Sequence, residues 1–500
     1  MYTADMQTAM EPSSEEDLIT KKKEERNMQR KKTLSGIKSL IRSVEGLLEL
    51  LILTVMYYFI FRHGYDPELF HPYLGYGKYV LCSLYILLTM VLFFSMDGFK
   101  FGYLRNGDVL ASQLISLVIS NFITYWQLCL IANVVISPMP MVVLMLAGAV
   151  VAFICTFSYS IIYHHLYVPK DMVMILGRDE AVTLKFKMET RPDKYRIVKL
   201  ISIEEGLESI CRQIVDYDAV IINDVPSKIR NDILKFCYRN KIRTYLTPKV
   251  TDIVVRGAED INLFDTPLLL VKGNGLTPIQ RILKRAMDLV ICLIALIPAA
   301  PVMLLVGIAI KLEDRGPVFY KQERVSLDGK VFKILKFRSM IVDAEKDGKS
   351  IPATGRDPRI TKVGRLTRAT RLDELPQLLN IIKGDMSLVG PRPERPEHME
   401  KYGEGIPEFD FRTKVKGGLT GYAQIYGKYN TSPYDKLRLD MMYIENYSLM
   451  LDIKLILLTL RIMFSKESTE GFEKAEELEQ QSAEVLQQMK EEAEEASKTQ

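Results

Sequence analysis

Four apolar runs, at roughly 44–61, 79–96, 109–135 and 139–163, each approach the length that crosses a bilayer. In hydrocarbon every backbone N–H and C=O must find its partner internally, so runs of this kind are expected as helices and residues 44–165 as a four-helix transmembrane part. Nine Lys or Arg precede the first run, whereas the connection at 62–78 holds only Arg62 and Lys78 and the Ser-Pro-Met-Pro connection at 137–140 holds none. By the positive-inside rule the tail 1–43 is cytoplasmic, and four crossings bring the chain back to the cytoplasm near His164. About forty polar residues stand before the first run, so no signal peptide is expected. Glu45 and Glu49, one turn apart at the start of the first run, read as interfacial.

Five hundred residues suggest about three modules. Hydrophobic residues at 48% beside charged residues at 26% suit a chain that lies partly in lipid and partly in water, and a net charge of +4 is too small to call for a nucleic-acid partner. Cys82, Cys129, Cys155, Cys211, Cys237 and Cys292 have no ligand spacing, and four of them fall inside apolar runs, so core thiols are expected rather than a zinc site or disulfides. The acidic stretch 465–500 reads as a surface helix or tail without chemistry.

From Asp171 the texture changes. Short β-branched runs at 172–177, 195–202, 218–224 and 242–248 alternate with helical patterns at about 204–215 and 227–240, the pattern of a small parallel, Rossmann-like α/β module over 171–275. After the first strand the chain reads Gly177-Arg178-Asp179-Glu180, one glycine with no GxGxxG, which favours a structural or regulatory module over a dinucleotide site.

Leu289 to Ile310 is then free of charge, long enough for a fifth span. Pro298 and Pro301 interrupt it, and both flanks are basic: Arg281, Lys284 and Arg285 before it, Lys311, Arg315, Lys321 and Arg324 after it. A crossing would carry the second basic cluster outside. A re-entrant helix, break and helix over about 286–311 is expected instead, entering one leaflet and returning. Leu451 to Phe464 suits a helix lying along the interface.

Between these features lies Arg371-Leu-Asp-Glu-Leu-Pro-Gln-Leu-Leu-Asn, two adjacent carboxylates followed by Leu375, Leu378, Leu379 and Ile382 at helical spacing. That spacing predicts a helix with Asp373 and Glu374 in or near its first turn, where the dipole favours negative charge. With KRAMDLV at 284–290, KFRSM at 336–340, LDELPQLLNIIKGDMSLVGPRPE at 372–394 and GGLTGYAQIYG at 417–427, the chain resembles the bacterial sugar transferases, the polyprenyl-phosphate glycosyl-1-phosphate transferases. The resemblance is close over 278–464 and extends in organisation to the family's large polytopic branch.

The resemblance implies a C-terminal monotopic α/β phosphoglycosyl transferase domain on the cytoplasmic face of a bacterial inner membrane. Its implied reaction begins exopolysaccharide, capsule or O-antigen assembly: Asp373 attacks a UDP-sugar, UMP leaves, and polyprenyl (undecaprenyl) phosphate takes the sugar phosphate. Glu374 is implied as the partner that holds a magnesium ion, and Lys336, Arg368 and Arg392 as the positive charge that offsets carboxylate–phosphate repulsion. A homodimer is compatible with the large branch. The sequence departs from the family at Ala300-Pro301, where many members have Ser-Pro, and at Gly417-Gly418, where many have Pro-Gly, so a more flexible loop is expected there. Asp440, Tyr443 and Asp452 match family positions with scaffold and nucleotide-contact roles both open.

Two other readings compete. Asp216-Tyr217-Asp218 has the form of a glycosyltransferase metal motif, but it falls where a helical pattern gives way to a strand. Such an enzyme would release UDP rather than UMP. A non-catalytic scaffold for polysaccharide export would tolerate loss of Asp373; no GxxxxGK[ST] supports a kinase partner role.

Overall fold

A computed structural model of the chain describes residues 40–65, 76–166, 169–177, 182–261, 265–273, 275–342, 344, 357–427, 431–463 and 487. Apart from residues 40–43 and Gln487, the expected basic and acidic tails lie outside the described residues. The chain divides into two compact units, 1–166 and 167–500.

The first unit is helical: α1 (Leu40–Tyr65), α2 (Gly77–Ser95), α3 (Asn106–Ala132) and α4 (Met139–Leu166). Inward-facing Leu53, Tyr57, Phe61, Tyr85, Leu117 and Leu144 form its core, with Tyr57 stacked on Tyr85 at 4.4 Å between ring centroids. Leu51, Phe94, Phe122 and Leu130 stand exposed on the outside, as lipid-facing side chains do. Polar groups inside the bundle bond to one another: Gln113 donates to Glu49 at 2.9 Å and accepts from Thr156 at 3.1 Å. Glu49 therefore faces the bundle interior, fully buried, and not an aqueous interface.

The second unit opens with β1 (Lys170–Leu176), α5 (Thr183–Glu189), β2 (Tyr195–Ser202), α6 (Leu207–Ile214), β3 (Ala219–Asn223), α7 (Ser227–Arg239), β4 (Arg243–Leu246) and α8 (Val250–Arg256). All four strands are parallel in the order β2-β1-β3-β4. Alternate residues serve opposite faces. Val173, Ile175, Val220 and Ile222 meet Ile210, Ile214 and Ile233, while Met172, Met174 and Ile221 meet Val182, Leu184 and Phe186. At the switch point Gly177 lies so close to the end of β3 that a Cβ there would sit 2.2 Å from the Asp224 carbonyl oxygen, and its N–H donates to Asn223 O. The glycine serves close packing. A short antiparallel hairpin, β5 (Glu259–Ile261) and β6 (Leu268–Leu270), follows.

Then comes α9 (Pro278–Asp314), opened by a capping box between Thr277 and Gln280. It remains helical through Pro298 and Pro301, so the expected interruption is absent and the prolines can at most bend it. Five helices among the described residues, α1 to α4 and α9, are long and apolar enough to cross a membrane.

The remaining elements are β7 (Phe319–Val325), β8 (Val331–Phe337), α10 (Lys362–Ala369), α11 (Gln377–Lys383), β9 (Ser387–Val389), α12 (Pro396–Gly405), β10 (Gly418–Thr420), α13 (Tyr422–Tyr426), α14 (Pro433–Glu445) and α15 (Leu449–Met463). Leu378, Ile381, Met386, Val389, Leu437, Met441 and Leu455 make their core, which Val250 and Ile253 of α8 join. Inside α9, Arg285 donates to the carbonyls of Ile381 and Ile382, and Asp288 accepts from Ser387 Oγ at 2.7 Å and from the Leu388 N–H at 3.1 Å. At its far end Asp314 pairs with Arg338, and Glu313 accepts from the Lys362 and Val363 N–H groups that open α10. All six cysteines are unpaired, and all but Cys211 are buried.

Candidate active site

Arg371 adopts a left-handed conformation (φ 58°), which ends α10 and turns the chain into a 3-10 turn, Leu372–Glu374. The dyad thus occupies a separate turn just before α11, near that helix's N-terminus as expected and not inside its first turn. The buried face of α11 also differs: Leu378 and Ile381 are buried, whereas Leu379 is 41% exposed. Asn380 fixes this helix to β8, its side chain accepting from Leu335 N and donating to Lys333 O, both at 2.9 Å. That pairing holds Lys336 beside the dyad.

Three cations converge on one oxygen. Glu374 Oε1 accepts from Arg392 Nη2 at 3.0 Å and from Lys336 Nζ at 3.3 Å, with Arg371 Nη1 at 3.8 Å. Burial raises the pKa of Glu374, but Arg392, Lys336 and Arg371 outweigh it and hold the value at about 2. Asp373, its neighbour in sequence, makes no hydrogen bond or ion pair with any described residue. Burial first, and then the charge of Glu374, raise its pKa, against the opposing pull of Lys336, Arg368 and Arg371. Two adjacent carboxylates are therefore driven apart: one locked and anionic, one unbonded and more readily protonated.

Of the expected residues, Lys336 and Arg392 touch the dyad, while Arg368 reaches Asp373 only through its field. Burial lowers the pKa of Lys336, opposed by Glu374. Pro298 and Pro301 lie within α9, away from this constellation in sequence and in role. Asp440 and Asp452 are buried and paired with Arg412 and Lys284, as suits scaffold positions. Arg371 and Arg324 join the site beyond the residues expected from sequence. Arg324 lines a crevice with Lys336, Gln377, Arg392, Pro393 and Gly418. The signal for it is the strand period: Lys336 pairs with Tyr320, and Arg324 is four residues along β7 on the same face.

Backbone closeness shapes the loop that carries Arg392. A Cβ on Gly390 would sit 2.3 Å from Lys416 O, so β9 and β10 approach as only glycine allows. Gly417, expected to loosen its loop, is held: its N–H donates to Ser326 Oγ at 3.0 Å, and a Cβ would lie 2.5 Å from the Pro393 ring. Proline at 417 could not make that bond. Among the described residues no group of three or more His, Cys, Asp or Glu gathers as a metal site.

Over residues 279–466 the chain matches the bacterial sugar transferase family. It is 38% identical over 247 residues to a UDP-glucose:undecaprenyl-phosphate glucose-1-phosphate transferase of Klebsiella pneumoniae, covering 48% of this chain and 51% of that one. To a UDP-N-acetylgalactosamine-undecaprenyl-phosphate N-acetylgalactosaminephosphotransferase of Aeromonas hydrophila it is 34% identical, over 50% of this chain and 60% of the relative. To a UDP-glucose:undecaprenyl-phosphate glucose-1-phosphate transferase of Caulobacter vibrioides it is 41% identical, over 39% of this chain and 75% of the relative. The matches to the Klebsiella and Aeromonas proteins thus span only about half to three fifths of their length. With the shorter Caulobacter protein matched across three quarters of its length, this chain belongs to the bacterial sugar transferase family.

Proposed function

We propose that the protein transfers a sugar 1-phosphate from a UDP-sugar to polyprenyl phosphate, undecaprenyl phosphate by analogy with its relatives, at the cytoplasmic face of a bacterial inner membrane, initiating exopolysaccharide, capsule or O-antigen synthesis. The observation that carries this reading is the divided dyad: a free Asp373 carboxylate beside a Glu374 that three cations hold in place. An Asp373 oxygen attacks the β-phosphorus, the bond to the bridging oxygen breaks, and UMP leaves with that oxygen. A phosphate oxygen of the lipid then attacks the aspartyl phosphate, forms the diphosphate and frees the carboxylate. Lys336, Arg392 and Arg368 bring positive charge to a reaction between anions.

The residues fit a magnesium ion of the kind carried in by substrate phosphates. Lys336, Arg371 and Arg392 all meet Glu374 at Oε1, which leaves Oε2 as a ligand oxygen, and magnesium commonly takes one carboxylate together with phosphate oxygens. Bound there, magnesium supplies charge neutralisation at the diphosphate.

A re-entrant α9 suits a site that must meet a lipid headgroup. Its two ends are tied to one small domain, by Arg285 to Ile381 and by Asp314 to Arg338, and Asn380 links Ile381 to β8 three residues before Arg338. A straight helix would set Arg285 and Asp314 about 44 Å apart. Those links cover that distance only if nearly all lie in line, so a bend at Pro298 and Pro301 is the simpler geometry. Ile294, Ile297, Leu304 and Leu305, all more than half exposed, flank the prolines as lipid-facing side chains would.

The test is intact mass in nanodiscs with magnesium and a panel of UDP-sugars. A gain of one sugar phosphate with release of UMP, discharged by undecaprenyl phosphate, is the expected result, and the mass names the sugar class. UDP in place of UMP, or no nucleotide release with donor and lipid acceptor together, would remove the proposal. The pH dependence has a defined sign. The nucleophile must be ionised, so the rate of adduct formation falls as pH drops through the raised pKa of Asp373, and this acidic limb lies above the ordinary aspartate range. A limb at or below that range would assign the nucleophile elsewhere.

A further inference from the structure

Two guanidinium groups grip the loop that carries Arg392. Arg412 Nη2 donates to Arg392 O at 2.9 Å, and Arg324 Nη1 donates to Pro393 O at 3.0 Å. Both face Glu394, whose Oε1 is 3.5 Å from Arg412 and whose Oε2 is 4.0 Å from Arg324. Behind Arg412 stands Asp440, 2.8 Å away and 1% exposed, while the Arg412 side chain itself is 4% exposed. The Val325 N–H donates to Glu394 O, so β7 also holds the loop through its backbone.

We propose that Arg412 and Arg324, with Glu394 as their common counter-ion, are positioning residues that set the direction from which Arg392 meets Glu374. The inference deepens the phosphoglycosyl transferase reading and rests on it. The loop reads Pro391-Arg392-Pro393, and each proline locks its own φ and restricts the residue before it. What remains to be set is the ψ of Arg392 within the range Pro393 leaves it, and the freer ψ of Pro393; these orient the peptide planes after the two residues. The carbonyls of those two planes are the ones the arginines hold. The Arg392 side chain is itself 41% exposed, and a side chain of that length loses rotamer freedom when fixed. A Cα–Cβ bond aimed in advance at Glu374 reduces that cost. A filler role does not account for the arrangement, because burying the Arg412–Asp440 pair is expensive and apolar side chains fill such space at less cost.

A double-mutant cycle tests this on the full chain in nanodiscs, with single-turnover UMP release and adduct mass as readouts. Arg412→Lys keeps the charge but replaces the fork, Nη2 at Arg392 O and Asp440 and Nη1 toward Glu394, with a single nitrogen on a differently shaped stem. The expected loss is about tenfold to a hundredfold, the scale of an ångström-sized misplacement. In an Arg392→Gln background the same change is expected to cost less than about twofold, because Arg412 acts through Arg392. Full loss in both backgrounds, or a wild-type rate for Arg412→Lys alone, would overturn the proposal. Arg324→Lys carries the same cycle if Arg412→Lys does not fold. Wild-type protein that releases no UMP removes the proposed reaction itself; an active wild type with independent losses removes only the positioning role.

Discussion

Asp373→Asn is expected to abolish the covalent adduct and to lower turnover by roughly 10⁴-fold or more, the scale on which loss of a nucleophile is felt, while leaving the fold intact or slightly firmer. The second half follows from the sign of its pKa shift. A carboxyl whose folded pKa is raised contributes stability below its unfolded pKa, and that contribution is lost as pH rises through the folded value. At neutral pH the ionised Asp373 is therefore a cost to the folded state, and a permanently neutral isostere removes it. Glu374→Gln runs the other way. Its depressed pKa contributes stability above the unfolded value and loses it as pH falls toward about 2. Gln leaves Lys336 and Arg392 without their shared anion, a loss on the order of 2–3 kcal/mol for charge-assisted hydrogen bonds to a side chain 13% exposed. Thermal melts at pH 7 beside adduct mass check both. Asp373→Asn with wild-type turnover would assign the nucleophile elsewhere, and Asp373→Asn that melts well below wild type would make this carboxylate a structural group. No scaffold role predicts loss of all activity together with unchanged or raised stability.

Local patterns were legible where a single segment decides its own state. The runs at 195–202 and 227–240 became β2 and α7 to within a residue, since period-two and helical spacing act within a few residues. The β5–β6 hairpin gave no such signal: Leu268, Leu269 and Leu270 are exposed, so no alternation marks them. Pro298 and Pro301 argued for an interruption that α9 does not show, because a proline removes one N–H bond without forcing its neighbours out of the helix. At the site, Asp373, Glu374, Lys336 and Arg392 were legible through family resemblance and not through spacing. Arg412 and Glu394 were not singled out for a physical reason: each takes its meaning from a partner on another element, and nothing local distinguishes them from surface charge. Gly417 shows the same limit. Read alone it promised flexibility, yet its N–H is bound by Ser326, ninety-one residues earlier.

Lys284→Met is expected to be the most destabilising single change in the second unit, by about 3–5 kcal/mol. Lys284 donates to Asp452 Oδ2 at 2.6 Å and to Tyr443 OH at 3.0 Å, and the Tyr443 hydroxyl donates to Asp452 Oδ1 at 2.8 Å. The Lys284 side chain is 6% exposed and that of Asp452 is fully buried, so methionine would leave a carboxylate in the core with its counter-ion gone. The cluster ties α9 to α14 and α15, and Tyr443 OH also lies 3.3 Å from Val389 O, at the end of the strand that leads to Arg392. Denaturant unfolding in nanodiscs, followed by Tyr fluorescence, measures the loss. Lys284→Met with Asp452→Leu should recover most of it, because a packed apolar pair avoids the desolvation that a lone charge suffers. Should the double variant recover stability and still turn over, the charges serve as an anchor between the membrane helix and the catalytic fold. Recovered stability with lost turnover would instead give the pair a part in the chemistry, since packing would then have been restored and only the charges removed.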